Sequence, residues 1–182
     1  MYRSIRAGYI SGYGFRDRSP DMEQIPAEAI ADELNSQGLQ SGSIFGAISP
    51  AAIRFLITNG EVFRVAKGEE IFRYGEPGCS FFVVCTGSVD FFKHHEGKDA
   101  YTRTVMPGEE IGFVAMIALH DHVGIAVAHE DSIVLEISSD LFADLHEKYP
   151  FDFGIMTLNL ARDLARIVRK LSNILVGHSI EH

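Results

Sequence analysis

The sequence predicts a mainly β fold, a jelly roll with flanking helices and a long C-terminal helix. Between Glu61 and Ser138, short runs rich in β-branched and aromatic residues alternate with glycine-containing turns. The turns recur roughly every 8–12 residues, which is typical of an all-β barrel or jelly roll. Helical periodicity precedes this region and returns after it, so helices are expected to cover the β-rich core on at least one side.

The N-terminal region predicts an arm followed by two short helices. Residues 1–20 are rich in Gly, Ser, Arg and Tyr, which favours an extended segment. The first helix has Pro26 in its first turn and Gly38 as its stop, and the second has Ser49 as its cap and Gly60 as its stop.

The β region contains two runs that are apolar at every position, Phe81–Val84 and Ile133–Leu135. Such runs indicate strands that are buried on both faces. We therefore divide the chain into an N-terminal arm and short helix (1–43), a β-roll (44–147), and a C-terminal helix and tail (148–182).

The last helix carries a regular apolar seam. Its residues step by 4, 3, 4 and 3 positions, the spacing of a coiled coil: Leu160, Leu164, Ile167, Leu171 and Ile174. This spacing predicts a homodimer formed through the C-terminal helix. The alternative is a single wide stripe that the chain buries against its own core.

The chain is acidic, with 16 Lys+Arg against 25 Asp+Glu among 182 residues and a formal net charge of -9. Because nucleic acids and anionic membranes repel an acidic surface, we expect neither as a partner. No apolar run reaches membrane-spanning length and no secretory signal is apparent, so a cytoplasmic location is predicted. Two cysteines are too few for four-cysteine iron–sulfur ligation within one chain.

Three motifs carry a resemblance to a known family. They are "GEEIFRYGEPGCSFFVVCTGSVDFF", "PGEEIG" followed by "FVAMI", and the long final helix. Together they resemble the cyclic-nucleotide-binding domain family, including the sensor half of bacterial catabolite-activator-type regulators. The resemblance implies a β-roll with a phosphate-binding cassette and a dimerisation helix. Those regulators continue into a helix-turn-helix domain, and this sequence ends soon after Lys170, so no DNA-binding domain is expected.

The resemblance also implies a ligand site in the cassette. Backbone N–H groups at the start of a short helix would face a cyclic phosphate. Phe113 stands where the family has a glutamate for the ribose, and His122 stands where it has an arginine for the phosphate. The residues implied for the site are Gly112, Phe113, Val114, Ala115, His122, Val123 and Gly124.

Both substitutions weaken recognition of an ordinary cyclic nucleotide. A phenylalanine accepts no hydrogen bond, and a neutral imidazole lacks the charged fork of a guanidinium. Losing one charge-assisted pair costs about 1.5–3 kcal/mol. The expectation is a degenerate cassette in which Phe113 turns inward to fill the sugar site and His122 lies at the mouth of the turn. The chain is then a stand-alone regulatory module, not an enzyme, without a cofactor, acting on a non-standard ligand or a protein partner.

Two alternatives remain open. The first is a divergent receptor for cyclic AMP or cyclic GMP. The second is a metal-dependent cupin-like enzyme, because His120 and His122 form an H-x-H pattern. The carboxylate that such a site needs would be Glu130, which follows His122 in the sequence. A second metal-binding motif is missing from the sequence, which counts against the enzyme.

Overall fold

The fold has three layers. Helices cover one face of a five-stranded sheet, and a four-stranded sheet covers its other face. The structure is a computed structural model that describes residues 22–27 and 44–180. The predicted arm and most of the helix predicted after it lie outside the described residues. The division into three regions stays a prediction.

In the described part of the chain, the secondary structure runs as follows. The strands are β1 (Glu23–Ile25), β2 (Glu61–Val65), β3 (Glu70–Phe72), β4 (Ser80–Thr86), β5 (Val89–His95), β6 (Lys98–Val105), β7 (Glu110–Ile111), β8 (Gly124–Ala128) and β9 (Ser132–Ser138). The helices are α1 (Pro50–Asn59), α2 (Phe113–Ala118), α3 (Ser139–Lys148) and α4 (Pro150–Ile180).

The two sheets confirm the predicted mainly β fold. Their strand orders are β1-β2-β9-β4-β7 and β3-β8-β5-β6, and neighbouring strands are antiparallel. Strand β1 was not predicted, because three residues on a sheet edge are too few to show a period.

Strand β4 is buried on both faces, as predicted. Phe81 and Val83 face the helix layer, whereas Phe82 and Val84 face the four-stranded sheet. We call the buried apolar residues between the five-stranded sheet and the helices the helix-side core. Those between the two sheets are the inter-sheet core. The alternation follows from the two-residue period of a strand, which sends successive side chains to opposite faces.

Helix α1 starts and stops where the sequence predicts. The Ser49 hydroxyl accepts a hydrogen bond from the Ala52 amide at 3.3 Å, and Pro50 occupies the first helical position. The Gly60 amide closes the helix on the Leu56 carbonyl at 2.8 Å. Asp152 of α4 accepts a hydrogen bond from the Ser49 amide at 2.7 Å, so the start of α4 also fixes the start of α1.

Helix α4 begins against the core and then leaves it. Leu160 is fully buried in the helix-side core, and Leu164 is half-buried against it. Farther along, Leu171 and Ile174 are 49% and 48% exposed. The predicted seam is therefore intramolecular at Leu160 and open to solvent in this chain from Leu171 onward.

No helix within residues 22–27 and 44–180 is both long and apolar enough to cross a lipid bilayer.

Candidate functional site

The turn predicted at Gly112 is present. Gly112 has a φ of 98° and caps the short helix α2 at its N-terminus. An added Cβ would lie 3.1 Å from Cε1 of His122. The positive φ alone favours glycine, because other residues pay a steric cost there. The turn thus brings Gly112 and His122, two of the predicted site residues, into contact.

Phe113 is buried, but its ring packs in the helix-side core. The prediction was that it would turn into the roll and fill the sugar site. Its ring lies 5.4 Å from that of Phe81 and 6.1 Å from that of Phe142 of α3, both in edge-to-face geometry. All three rings belong to the helix-side core. The ring is on this side because the turn at Gly112 directs the first residue of α2 toward the helix layer, where two aromatic neighbours cover it.

His122 is the residue that turns into the roll. Only 2% of it is exposed, and its ring stacks on Phe72 with centroids 3.8 Å apart and planes 11° apart. Phe72 belongs to the inter-sheet core. The His122 backbone is fixed on both sides, since its amide donates to Glu76 at 2.8 Å and its carbonyl accepts from Gly75 at 2.9 Å. His122 therefore lies beside the turn, as expected, but inside the roll and not at an open mouth.

The amides of the turn are already in use. The Phe113 amide donates to Oε2 of Glu110 at 3.1 Å. The Ala115 amide donates to the Gly112 carbonyl at 3.1 Å, within the first turn of α2. Two of the donors that the resemblance assigns to a phosphate are therefore hydrogen-bonded within the chain.

Glu110 is a buried residue beside the turn that the sequence does not reveal. It is buried, and desolvation raises the pKa of its carboxyl to about 7, while the nearby Arg103 and the Phe113 amide work in the opposite direction. Asp163 of α4 and the neighbouring Glu109 raise the pKa further. Strand β7 has only two residues, so no period in the sequence could have shown which way Glu110 faces.

A second buried carboxyl faces the inter-sheet core. Glu136 of β9 lies opposite Phe82 in the sheet register, and directly opposed residues share a face. Its Oε1 accepts a hydrogen bond from the Ser80 hydroxyl at 2.5 Å, and both residues are buried. The Ser80 carbonyl is 3.5 Å from the point that a Cβ on Gly112 would occupy. The period of β9 could have revealed Glu136, since Val134 two residues earlier is apolar.

The remaining predicted site residues have other surroundings. Val114 is 45% exposed on α2. The Val123 carbonyl accepts a hydrogen bond from the His94 amide at 3.1 Å, as part of the contact between β8 and β5. A Cβ on Gly124 would come within 2.2 Å of the Phe92 carbonyl, so close strand packing requires glycine there.

The H-x-H pattern does not assemble into a metal centre in the described residues. Nδ1 of His120 contacts the Asp121 carbonyl at 2.6 Å, whereas the ring of His122 stacks inside the roll. The Glu130 carboxylate accepts a hydrogen bond from Ser88 at 2.7 Å. Across residues 22–27 and 44–180, no three His, Cys, Asp or Glu side chains are grouped closely enough to hold an ion.

Comparison with known proteins gives concordant matches. The sequence model of the cyclic nucleotide-binding domain family matches residues 62–149. The chain is 33% identical over 87 residues to the regulatory protein HlyX of Actinobacillus pleuropneumoniae, covering 47% of this chain and 36% of that protein. It is 25% identical over 133 residues to the cyclic AMP receptor protein of Thermus thermophilus, covering 72% of this chain and 60% of that protein.

A solved structure shares the fold. The cyclic nucleotide-binding domain from Methylobacillus flagellatus superposes with a TM-score of 0.75 at 18% identity, over 90% of this chain and 93% of that one. The chain spans 36% and 60% of the length of the two curated relatives above. The segment 62–149 of this chain belongs to the cyclic nucleotide-binding domain family.

Proposed function

We propose that this chain is a regulatory module of the cyclic nucleotide-binding fold whose cassette does not take an ordinary cyclic nucleotide and which acts through protein contacts. The observation that carries this proposal is the buried His122 ring, stacked on Phe72 and in contact with the Gly112 turn. A nucleotide phosphate approaching this side of the turn would have to displace the His122 ring and disrupt its stacking on Phe72. The family's arginine would instead offer the phosphate a charged fork.

Two buried carboxyl groups near the turn also disfavour an anionic ligand. The Glu136 carboxyl faces the inter-sheet core beside Ser80, and the Glu110 carboxyl occupies the Phe113 amide. An imidazole in place of a guanidinium lacks the permanent positive charge and the five donors of that group. An anion would thus lose the charged partner of the family and meet two buried carboxyl groups, two changes that act in the same direction.

The protein contact that we propose is a homodimer through α4. Beyond Leu164 the seam continues with its regular spacing into the exposed residues Leu171 and Ile174, and Val168 beside it is also exposed. A heptad-spaced stripe is self-complementary, since a second copy offers the same knobs and holes. A second copy of this chain is therefore the occupant that fits the exposed half of α4.

Isothermal titration calorimetry tests the proposed loss of nucleotide binding. We expect no saturable heat from cyclic AMP or cyclic GMP with the wild-type chain, which corresponds to a Kd weaker than about 1 mM. His122→Arg should strengthen binding, because it restores a charged donor beside Gly112. His120→Arg is the matched control, since it adds the same charge two residues away at a side chain that does not stack in the roll.

Micromolar binding by the wild type, unchanged in His122→Arg, would contradict the proposal. The divergent-receptor alternative would then be the better reading. The similarity to the cyclic AMP receptor protein of Thermus thermophilus favours that alternative. Comparing His122→Arg with His120→Arg distinguishes the two readings. Neither variant alters Phe113, whose ring belongs to the helix-side core.

We also expect no binding of duplex DNA by this chain. Its formal net charge of -9 repels the phosphate backbone, and nonspecific affinity depends on neutralising phosphates with basic side chains. An electrophoretic mobility assay at low and physiological salt is the measurement. A retarded band whose affinity falls with salt and depends on sequence would overturn this expectation.

A further inference from the structure

The His122 ring contacts a strand of one sheet and the turn that follows a strand of the other. It stacks on Phe72 of β3, with centroids 3.8 Å apart. Its Cε1 also lies 3.1 Å from the point that a Cβ on Gly112 would occupy. That point is 3.5 Å from the Ser80 carbonyl and from Cα of Phe81, so β4 bounds the same small space. The ring therefore fills the roll beside the turn.

The loops on either side of this ring pack closely on each other. The Gly75 amide donates to the His122 carbonyl at 2.9 Å. A Cβ on Gly78 would come within 2.4 Å of the His120 carbonyl and 2.6 Å of Cβ of Ala115. The loop after β3 thus lies directly against α2 and the loop that follows α2, and His122 supplies a side chain that enters the roll from this contact.

The surroundings of the ring suit a flat aromatic group. Phe72 belongs to the inter-sheet core, and its ring plane is only 11° from that of His122. His122 is 2% exposed, so the stacked pair is shielded from water. Removing a buried ring leaves a cavity, because packed strands relax only partly around it. Such a cavity can take up a small molecule that matches the lost side chain.

We propose that this part of the roll is a ring-binding site that the chain fills with its own His122, and that the filled site holds α2 in place without a ligand. The inference rests on the proposed function and deepens it. Where no cyclic nucleotide is bound, the His122 ring itself supplies the contact between the cassette turn and β3. The class of molecule that fits the site in its place is a small planar heteroaromatic ring, for which imidazole is the direct probe.

Amide hydrogen exchange of the full chain, followed by NMR, tests this site. The reporters are the amide of Met116, bonded to the Gly112 carbonyl at 3.3 Å, and the amide of Gly75. In His122→Ala we expect both to exchange roughly tenfold faster or more than in the wild type, because the contact that holds α2 is lost. Imidazole at about tens of millimolar and constant pH should restore slow exchange, since a ligand that binds the folded cavity stabilises it.

His120→Ala is the matched control. The Nδ1 atom of His120 contacts the neighbouring Asp121 carbonyl, and its ring is not part of the stack on Phe72. Exchange at Met116 should therefore stay close to that of the wild type, with or without imidazole. The wild type itself should not respond to imidazole, because its site is already filled.

Unchanged exchange in His122→Ala would overturn the proposal, and so would faster exchange that imidazole does not reverse. If the variant fails to fold, nuclear Overhauser contacts in the wild type decide. Contacts from Hε1 of His122 to Gly112 and to the Phe72 ring support the filled site, and their absence refutes it. Calorimetry with cyclic AMP tests the proposed function separately, because the exchange experiments contain no nucleotide.

Discussion

Phe113→Ala is expected to lower the free energy of unfolding by about 3–5 kcal/mol, the usual cost of removing a buried phenylalanine ring. The ring is 2% exposed and has edge-to-face contacts with Phe81 and Phe142. Its loss would leave a cavity between the five-stranded sheet and α3, lined by residues that strand and helix pairing hold in place. Denaturant unfolding followed by circular dichroism measures the change.

Val114→Ala is the matched control for this variant. It is the next residue on α2 and is 45% exposed, so its truncation should cost well under 1 kcal/mol. Equal losses for the two variants would show that Phe113 does not belong to the helix-side core. Phe113→Glu should destabilise the fold even more, because it would bury a carboxyl among aromatic rings. Restoring the family's glutamate is therefore costly in this chain.

Local signals explain why much of the fold could be predicted from the sequence. Helix α1 is bounded by a serine cap, a proline at its first position and a glycine stop, and each acts within a few residues. Strand β4 is apolar at Phe81–Val84, and only burial on both faces accommodates such a run. Neither feature requires knowledge of distant parts of the chain.

The directions of side chains at the turn could not be predicted in the same way. The resemblance identifies Phe113 and His122 as departures from the family pattern, and both positions do lie at the turn. Whether each ring faces the helix layer or the four-stranded sheet depends on tertiary neighbours such as Phe142 and Phe72. Glu110 is harder still, because its hydrogen-bond partners come from the start of α2 and from Arg103 of β6.

The seam of α4 shows a related limit. Its spacing is continuous from Leu160 to Ile174, yet burial changes along it. The sequence period reports that one face is apolar and does not report which surface covers that face. The first part of the seam is covered by the chain's own helix-side core, so the intramolecular interpretation holds there, and the dimer stays a prediction for the exposed part.

Leu171→Glu combined with Ile174→Glu is expected to give a folded monomer. Both side chains are about half exposed in the single chain, so the charges should be tolerated in the monomer. In a coiled-coil dimer they would be buried against their own copies, where like charges repel and lose solvation. We expect the dimer dissociation constant to rise by roughly a hundredfold or more, equivalent to about 2.7 kcal/mol.

Light scattering after size exclusion, together with circular dichroism, measures the oligomeric state and the fold of this variant. The matched control is Ser172→Glu with Asn173→Glu, which adds the same two charges between the seam positions and should leave the dimer intact. Leu164 is avoided because it packs against the helix-side core, so a charge there would confuse loss of dimer with loss of fold. A wild-type chain that is already monomeric at about tens of micromolar would remove the dimer from the proposed function. The exposed apolar residues of α4 would then have to be covered by a different protein.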